Sequence, residues 1–178
     1  TNGTLTIEDN GIGMTKEELI GNLGTIARSG SKAFVQHAME GGDSKDKTDG
    51  IIGQFGVGFY SSFMVSDSVV VESVSALKSA DGEILPANAH RWSSDGTGQF
   101  NIEETGDSSM VRGSRIIMTL KEDAKDYADP EKIKEVIKKY SNFVSFPIKV
   151  NGDPVNTVSA IWTEDKNTLT KQQYTDFY

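Results

Sequence analysis

The chain has 178 residues with 26 acidic and 18 basic side chains, which gives a formal net charge of -8 at pH 7. That length allows one domain with a sizeable core, and the acidic balance argues against nucleic-acid or anionic-membrane partners, whose binding faces are basic. The absence of cysteine excludes disulfides, a thiol nucleophile and a zinc–thiolate site, and it fits a reducing compartment.

No stretch approaches the roughly 20 apolar residues of a membrane span, so we expect no membrane insertion. No signal or transit peptide is visible. The first residues, TNGTLTIEDN, lack a methionine and already follow a strand pattern. We therefore expect the chain to be a fragment of a longer protein.

The first elements combine one strand with short helices. Alternation over Thr4–Glu8 predicts a strand, and Asp9-Asn10-Gly11 predicts the turn that follows it. Thr15 and Glu18 have the spacing of a capping box, which predicts the start of a helix. A second short helix is predicted from Ser31.

Residues 40–50 are polar and glycine-rich and predict a loop. The next segment, GQFGVGFYSSFMV over residues 53–65, sets three glycines before an apolar run that predicts a helix. We expect four apolar side chains to anchor that helix in the core: Phe59, Phe63, Met64 and Val65.

The remaining elements are strands and one further helix. Asp95-Gly96 and Asn151-Gly152 predict hairpin turns, and Asp129-Pro130 predicts a helix start with proline at its first position. Because helices cluster early and strands follow, the predicted fold class is α+β. The strands of the predicted antiparallel sheet are Ser68–Leu77, Arg91–Ser94, Gln99–Glu103 and Arg112–Leu120.

DNGIGM, residues 9–14, is the first candidate site. Its glycines allow a ligand to approach the backbone, and the Asp9 carboxylate can accept a hydrogen bond from the amino group of a base. Met14 can pack against a flat ring. A plain turn after a strand explains the same residues, so this motif alone leaves both interpretations open.

Two further glycine segments are ambiguous when taken singly. GTIARSGSK, residues 24–32, fails the P-loop pattern, because Ser31 separates Gly30 from Lys32 and the glycine spacing is wrong. Its polar side chains could face phosphates or solvent. GQFGVGF is not a dinucleotide fingerprint, but a glycine loop that enters a helix offers N–H groups to an anion. Close packing of that loop on the core is the alternative.

Neither metal nor nucleophile chemistry has support in the sequence. His37 and His90 are too few and too far apart for a metal cluster, and each is expected at the surface. No serine–histidine–acid constellation is apparent. Trp92 and Trp162 are interpreted as packing residues.

In order, DNGIGM, NLGTIARSGSKAF and GQFGVGFYSSFMV closely resemble the ATP-binding domain of the heat shock protein 90 chaperones. RGSRIIMTLKEDA and KYSNFVSFPI continue the resemblance, which covers essentially the whole chain. AIWTEDKNTLTKQQYTDFY resembles the start of that family's middle domain. The resemblance therefore implies an ATP-binding domain over residues 1–155, truncated at its start, and a linker with the beginning of the next domain over 156–178.

The resemblance implies a two-layer α/β sandwich, the Bergerat fold, in which an antiparallel sheet carries helices on one face that enclose the nucleotide. It implies an ATP-dependent chaperone in which ATP binding and hydrolysis drive a dimeric clamp that assists the folding of client proteins. ATP and Mg²⁺ are the implied cofactors. Client proteins and a second copy of the chain are the implied partners.

The family's adenine-binding residues have counterparts here. The resemblance assigns Asp9 to the adenine amino group and places Gly13 and Met14 in the base pocket. It assigns Ser114 to the adenine hydrogen-bond network, where the family usually has threonine. Serine keeps the hydroxyl, so we expect the function to be preserved.

The family's ribose- and phosphate-binding segments also have counterparts. Asn22 and Leu23 are implied near the ribose and phosphates, and Arg28, Ser29 and Gly30 are implied in the hinge of a mobile lid. Backbone N–H groups are implied to meet the phosphates at Gln54, Phe55, Gly56, Val57, Gly58 and Phe59.

Some functional residues of the family have no counterpart in this chain. The catalytic glutamate and the magnesium-binding asparagine lie before Thr1 in the family pattern, and the phosphate-sensing arginine belongs to the middle domain. We therefore expect ATP hydrolysis by the intact protein and, at most, weak nucleotide binding by this fragment.

YSNFVSFP followed by NTVSAIW, without a long acidic linker, most resembles the mitochondrial paralogue of the family. A mitochondrial matrix location is therefore expected, with the cytoplasm as the alternative, since bacterial relatives also lack the linker. Two other functions are the alternatives: a gyrase-type or kinase-type ATPase of the same superfamily, and a non-enzymatic protein-interaction module that has lost nucleotide binding.

Overall fold

The computed structural model describes residues 3–24, 56–76, 88–105, 109–141, 144 and 146–156. The chain forms two compact units, Thr1–Lys125 and Asp126–Tyr178. The predicted helix from Ser31 and the predicted loop over residues 40–50 lie outside the described residues. The predicted domain boundary at residue 155 stays a prediction.

The first unit is built on an antiparallel sheet, as predicted, and the early strand β1 joins the four predicted strands to give five. Its spatial order is β1-β5-β2-β3-β4, so the last strand in sequence lies between the first two. All neighbouring strands pair antiparallel. The strands are β1 Thr4–Asp9, β2 Ser66–Val74, β3 Ala89–Ser94, β4 Asn101–Thr105 and β5 Gly113–Leu120.

One face of this sheet carries the core. Residues directly opposite one another on paired strands share a face, and the face alternates along each strand. Val69, Val71 and Trp92 belong to the same face and are at most 3% exposed. Leu19 of the first helix is fully buried, and that helix packs against β3. The α+β fold class is confirmed, with helices on the Trp92 face of an antiparallel sheet.

The first helix, α1 (Lys16–Leu23), begins at the predicted capping box. The Thr15 hydroxyl accepts a hydrogen bond from the Glu18 N–H at 3.2 Å, and the Glu18 carboxylate accepts one from the Thr15 N–H at 2.8 Å. Two donors that a helix start leaves unpaired are thus satisfied. The cap fixes where the chain turns after the DNGIGM segment.

The glycine segment leads into a 3-10 helix, Gly58–Ser61, and a single helical turn, α2, Ser62–Val65. The Lys121 ammonium donates to the Phe63 carbonyl at 2.9 Å, and so supplies a cation at the carbonyl end of α2. The expectation that Met64 lies in the core is wrong, since this residue is 77% exposed. Adjacent residues on a helix diverge by about 100°, so one short turn directs only part of an apolar run inward.

The opposite face of the sheet carries five charged side chains in register, which we call the charge ladder: Glu8, Arg115, Glu72, Arg91 and Glu103. Each comes from a different strand, and acid alternates with base across the sheet. The shortest nitrogen–oxygen distances are 2.6 Å between Arg91 and Glu72 and 2.7 Å between Arg115 and Glu8. Glu72, at the centre, has a side chain only 14% exposed.

The second unit contains the predicted helix and the predicted hairpin. Helix α3, Pro130–Tyr140, begins at Asp129, whose carboxylate accepts the Glu131 N–H at 3.0 Å. Strands β6 (Lys149–Val150) and β7 (Asp153–Pro154) pair around Asn151-Gly152, both with positive φ. A 3-10 helix over Glu122–Ala128 precedes α3. Among the described residues, no helix has the length and apolar character to cross a membrane.

Candidate functional site

Three polar side chains form a row near one end of the neighbouring strands β1, β5 and β2. Asp9 on β1 lies opposite Ser114 on β5, and Ser114 lies opposite Ser73 on β2. The Ser73 and Ser114 hydroxyl oxygens are 2.9 Å apart. Because opposite residues project to the same side, this row lies on the helix-bearing face, next to the buried Val71. The sheet register thus brings Asp9 and Ser114 together although they are far apart in sequence.

The Asp9 carboxylate stabilises the turn that follows Asp9. Its Oδ1 accepts a hydrogen bond from the Gly11 N–H at 2.8 Å, as in an Asx turn. Asp9 is exposed, and its other carboxylate oxygen has no hydrogen bond to the residues that the structure describes. The plain turn and the ligand-binding interpretation of DNGIGM are therefore compatible, because one oxygen holds the turn and the other is open.

Ser73 is fully buried and joins the Asp9 loop to the sheet. Its hydroxyl oxygen accepts a hydrogen bond from the Met14 N–H at 2.8 Å and lies 3.0 Å from the Gly113 carbonyl oxygen. A further backbone bond, from the Ala76 N–H to the Ile12 carbonyl at 2.7 Å, fixes the same loop to the end of β2. Two bonds to β2 and the segment after it thus determine the path of the Asp9–Met14 loop.

Gly13 passes so close to β2 that no side chain fits. It has a φ of +63°, and a Cβ there would lie 1.9 Å from the Val74 carbonyl oxygen. Glycine is therefore required by packing, whether or not a ligand is bound. The consequence for the site is a backbone held rigidly beside the Asp9–Ser114–Ser73 row.

Helix α1 is linked to this loop and to the glycine segment. The Asn22 amide lies 3.9 Å from the Met14 sulfur, and the Tyr60 hydroxyl lies 3.4 Å from the Leu23 carbonyl oxygen. Both contacts lie on the helix-bearing side of the sheet. Five of the predicted site residues are thus joined directly or through Ser73: Asp9, Gly13, Met14, Asn22 and Ser114.

The described part of the glycine segment leaves backbone donors at a helix start. Gly56 has a φ of +65°, and the 3-10 helix that begins at Gly58 has Val57 before it, whose side chain cannot cap N–H groups. A Cβ added to Gly58 would meet nothing within 4 Å, so this position borders open space. The arrangement offers N–H donors to an anion, although the helices that follow are short.

An aromatic cluster holds this segment against the sheet. Phe59 makes edge-to-face contacts with Phe63 and Trp92, with ring centroids 6.0 and 5.6 Å apart. Trp92 also stacks on Phe100. The end of α1 packs tightly on the same cluster, since a Cβ on Gly24 would lie 2.8 Å from the Phe100 ring. Trp92 is therefore a packing residue, as predicted.

His90 does not behave as an ordinary surface residue. It is half-buried, and its Nδ1, like the Trp92 Nε1, is shielded from solvent without a hydrogen-bond partner among the described residues. Its strand position, opposite Ser73, explains the burial. No cluster of metal-ligating side chains occurs in the described ranges.

Five predicted site residues lie outside the described residues: Arg28, Ser29, Gly30, Gln54 and Phe55. Two important residues were missed from the sequence. Ser73 sits in an ordinary β-strand pattern that gives no signal of its contacts. Gly113 precedes a predicted site residue, and only strand pairing reveals that it packs against Asp9.

Comparison with known proteins agrees with these features. The family described as histidine kinase-, DNA gyrase B-, and HSP90-like ATPase matches residues 1–124, nearly the whole of the first compact unit. The Chaperone protein HtpG of Desulfitobacterium hafniense (strain Y51) is 51% identical over 175 residues, which are 98% of this chain and 27% of that protein.

Two eukaryotic relatives are similar to a comparable degree. The Heat shock protein 75 kDa, mitochondrial, of Rattus norvegicus is 49% identical over 176 residues, which are 99% of this chain and 23% of that protein. The TNF receptor-associated protein 1 homolog, mitochondrial, of Dictyostelium discoideum is 45% identical over 177 residues, which are 99% of this chain and 23% of that protein. The chain spans about a quarter of the length of the curated relatives it matches.

Proposed function

Because this chain belongs to the histidine kinase-, DNA gyrase B-, and HSP90-like ATPase family, as its ordered glycine motifs predicted, we propose that it forms the ATP-binding domain of a molecular chaperone. The observation that carries the proposal is the Asp9 carboxylate, open on one side and in register with the Ser114 hydroxyl. A carboxylate beside a hydroxyl accepts hydrogen bonds from an amino group such as that of adenine. The names of the relatives, which are chaperones or heat shock proteins, support the chaperone role.

Different described residues are proposed to bind the base and the phosphates of ATP. Asp9 and Ser114 would hold the base, with Gly13 and Met14 lining its pocket. Asn22 and Leu23 would lie near the ribose and phosphates. Backbone donors from the GQFGVGF segment would meet the phosphates, and four of its proposed residues lie in the described ranges: Gly56, Val57, Gly58 and Phe59.

Five further residues complete the proposed site from outside the described ranges. We propose that Arg28, Ser29 and Gly30 belong to a lid hinge and that Gln54 and Phe55 extend the phosphate loop. We also propose Mg²⁺ as a cofactor, held by a family asparagine that precedes Thr1. When bound, Mg²⁺ neutralises charge on the phosphates.

The activity of the whole protein is proposed from the same family. We propose that ATP hydrolysis by the intact protein uses the family's glutamate, and that the residues of this chain bind and position the nucleotide. We propose that the intact protein forms a homodimer whose clamp cycle, driven by ATP, assists the folding of client proteins.

We propose a mitochondrial location for the intact protein. The names of the rat and Dictyostelium relatives support it. The bacterial HtpG relatives, which come from cells without mitochondria, support the cytoplasmic alternative. Fractionation of cells that express the tagged full-length protein distinguishes the two, since only the first location gives a signal with the mitochondria.

Calorimetry of ATP binding to the full-length protein tests the proposal, with Asp9→Asn as the informative variant. Asparagine keeps an oxygen that can accept the Gly11 N–H, so the turn is preserved, but it loses the carboxylate charge. We expect ATP affinity to fall by about one order of magnitude or more, since roughly 1.4 kcal/mol corresponds to a factor of ten.

The control is Asp67→Asn, which makes the same change at the other end of β2. Asp67 is exposed and six residues before Ser73, a distance of about 20 Å along a strand. We expect its ATP affinity to match that of the original protein. Unchanged affinity in folded Asp9→Asn protein would contradict the proposed role of Asp9.

A further inference from the structure

Ser73 lies next to the proposed base-binding residue Ser114 and has no hydrogen bond to the Asp9 carboxylate. It is 0% exposed, and it contacts Ser114 through its hydroxyl. We propose that Ser73 is a positioning residue that fixes the direction of the Ser114 hydroxyl proton and thereby selects a 6-amino purine over a 6-oxo purine. This inference rests on the proposed ATP-binding function.

The hydrogen bonds of Ser73 account for every proton in the cluster. A serine hydroxyl has one donor and two acceptor positions. The Met14 N–H occupies one acceptor position at 2.8 Å. The Gly113 carbonyl, 3.0 Å away, can only accept, so Ser73 satisfies it by donating its single proton. The second acceptor position of Ser73 then receives the proton of Ser114, at 2.9 Å.

The alternative proton arrangement satisfies fewer groups. If Ser73 donated to Ser114, the Gly113 carbonyl would lose its hydrogen bond from Ser73, and one acceptor position of Ser73 would be empty. Ser73 is buried, and buried polar groups are nearly always paired. The first arrangement is therefore the favoured one, and in it Ser114 has no proton left for a ligand.

Ser114 then presents only acceptor positions, and Asp9, in register with it, presents a carboxylate oxygen that also only accepts. Together they match the N–H donors of a 6-amino group. The oxygen of a 6-oxo purine is an acceptor and gains a hydrogen bond from neither residue. Removal of the Ser73 hydroxyl frees the Ser114 proton, which can then point toward a 6-oxo oxygen.

Calorimetry with ATP and inosine triphosphate on the full-length protein tests this role. The quantity compared is the ratio of the two dissociation constants, which is independent of the fraction of folded protein. We expect Ser73→Ala to lower the preference for ATP by about tenfold, the usual size of one hydrogen-bond difference. Ser73→Thr keeps the hydroxyl and should restore the preference. Ser68→Ala, the same change on the opposite face of β2, should leave it unchanged.

A double-mutant cycle separates positioning from loop support. Because Ser73 acts through Ser114, Ser73→Ala should not change the preference further in a Ser114→Ala background. If Ser73 had a purely structural role, Ser73→Ala would weaken the binding of both nucleotides equally and leave the ratio of their dissociation constants unchanged. That result would overturn the inference. ATP binding by the original protein would still support the proposed function. Absence of ATP binding by the original protein would overturn both.

Discussion

Gly113 lies directly against the backbone of Asp9. A Cβ at residue 113 would be 2.1 Å from the Asp9 carbonyl oxygen, and Gly113 has a φ of +106°. The contact forms where β1 meets the start of β5, one residue before Ser114. The spacing between Asp9 and Ser114 therefore depends on a residue that has no side chain of its own.

We expect Gly113→Ala to destabilise the protein by several kcal/mol, because backbone overlap adds to a conformational cost of about 1–3 kcal/mol. Gly98→Ala is the matched control. Gly98 also has a positive φ, +94°, but a Cβ there would meet nothing within 4 Å, so only the conformational cost applies. Urea unfolding measures both. Equal destabilisation by the two variants would contradict the packing argument.

Thr15→Ala should remove the capping box of α1 and cost about 1 kcal/mol of unfolding free energy. Thr15→Ser keeps the hydroxyl that accepts the Glu18 N–H and should restore most of the loss. Lys16→Ala changes an exposed neighbour and serves as the control. Chemical denaturation at one pH measures all three, and a Thr15→Ala midpoint equal to that of Lys16→Ala would exclude a stabilising cap.

Glu72→Gln should weaken the centre of the charge ladder, since Glu72 contacts both Arg91 and Arg115. We expect a loss of about 1 kcal/mol, near the upper end for partly exposed ion pairs. Glu103→Gln, at the exposed end and 3.5 Å from Arg91, should cost only a few tenths. High salt should reduce the Glu72 effect through screening, and a salt-independent loss would point to packing instead.

The two arginines of the charge ladder should contribute the same amount to the free energy of unfolding at every pH in the physiological range. The hydrogen bond to Glu72 raises the pKa of Arg91, and the hydrogen bond to Glu8 raises that of Arg115. A group whose pKa is higher in the folded state stabilises fully below its unfolded pKa and loses that effect as pH rises through the folded pKa. The stability of Arg91→Met relative to the original protein should therefore not vary between about pH 7 and 9.

Asp95 should behave in the opposite way in acid. The Thr97 hydroxyl, 2.7 Å away, together with the Thr97 N–H, lowers the pKa of Asp95 below its ordinary 3.8. The stability that this carboxylate contributes is therefore present above about pH 4 and lost as pH falls through the folded pKa. The difference in stability between the original protein and Asp95→Asn should shrink over that range, and unfolding at several pH values measures it.

A titration of the Asp95 carboxyl by NMR gives an independent measurement. Thr97→Val removes the hydroxyl donor but keeps the side-chain shape, so the pKa of Asp95 should rise toward its ordinary value. An unchanged pKa in Thr97→Val would assign the shift to the backbone N–H alone.

Local signals in the sequence correctly predicted the helix starts and the hairpin turn of the second unit. Thr15 with Glu18, Asp129 with Pro130, and Asn151 with Gly152 each act through neighbours within a few residues. Such contacts depend on short-range geometry, so spacing alone identifies them. The strands were predicted for the same reason, within a few residues at each end.

Contacts between strands were not predictable, because sequence spacing does not determine the order or register of a sheet. The bond from Met14 to Ser73 joins residues 59 apart, and the ion pair of Arg115 with Glu8 spans 107 residues. The predicted burial of Met64 was wrong for another reason. An apolar run predicts burial, but the helix over it is one turn long, so Phe63 turns inward and Met64 outward.

The two outermost strands of the described sheet, β1 and β4, both end the charge ladder with an acid, Glu8 and Glu103. An outer strand has unpaired backbone groups that can recruit another copy of the same strand. Two such edges brought together would place carboxylates of like charge near each other, which is unfavourable. The alternation of charges across five strands, with an acid at each end, thus discourages edge-to-edge aggregation while it joins the strands within one molecule.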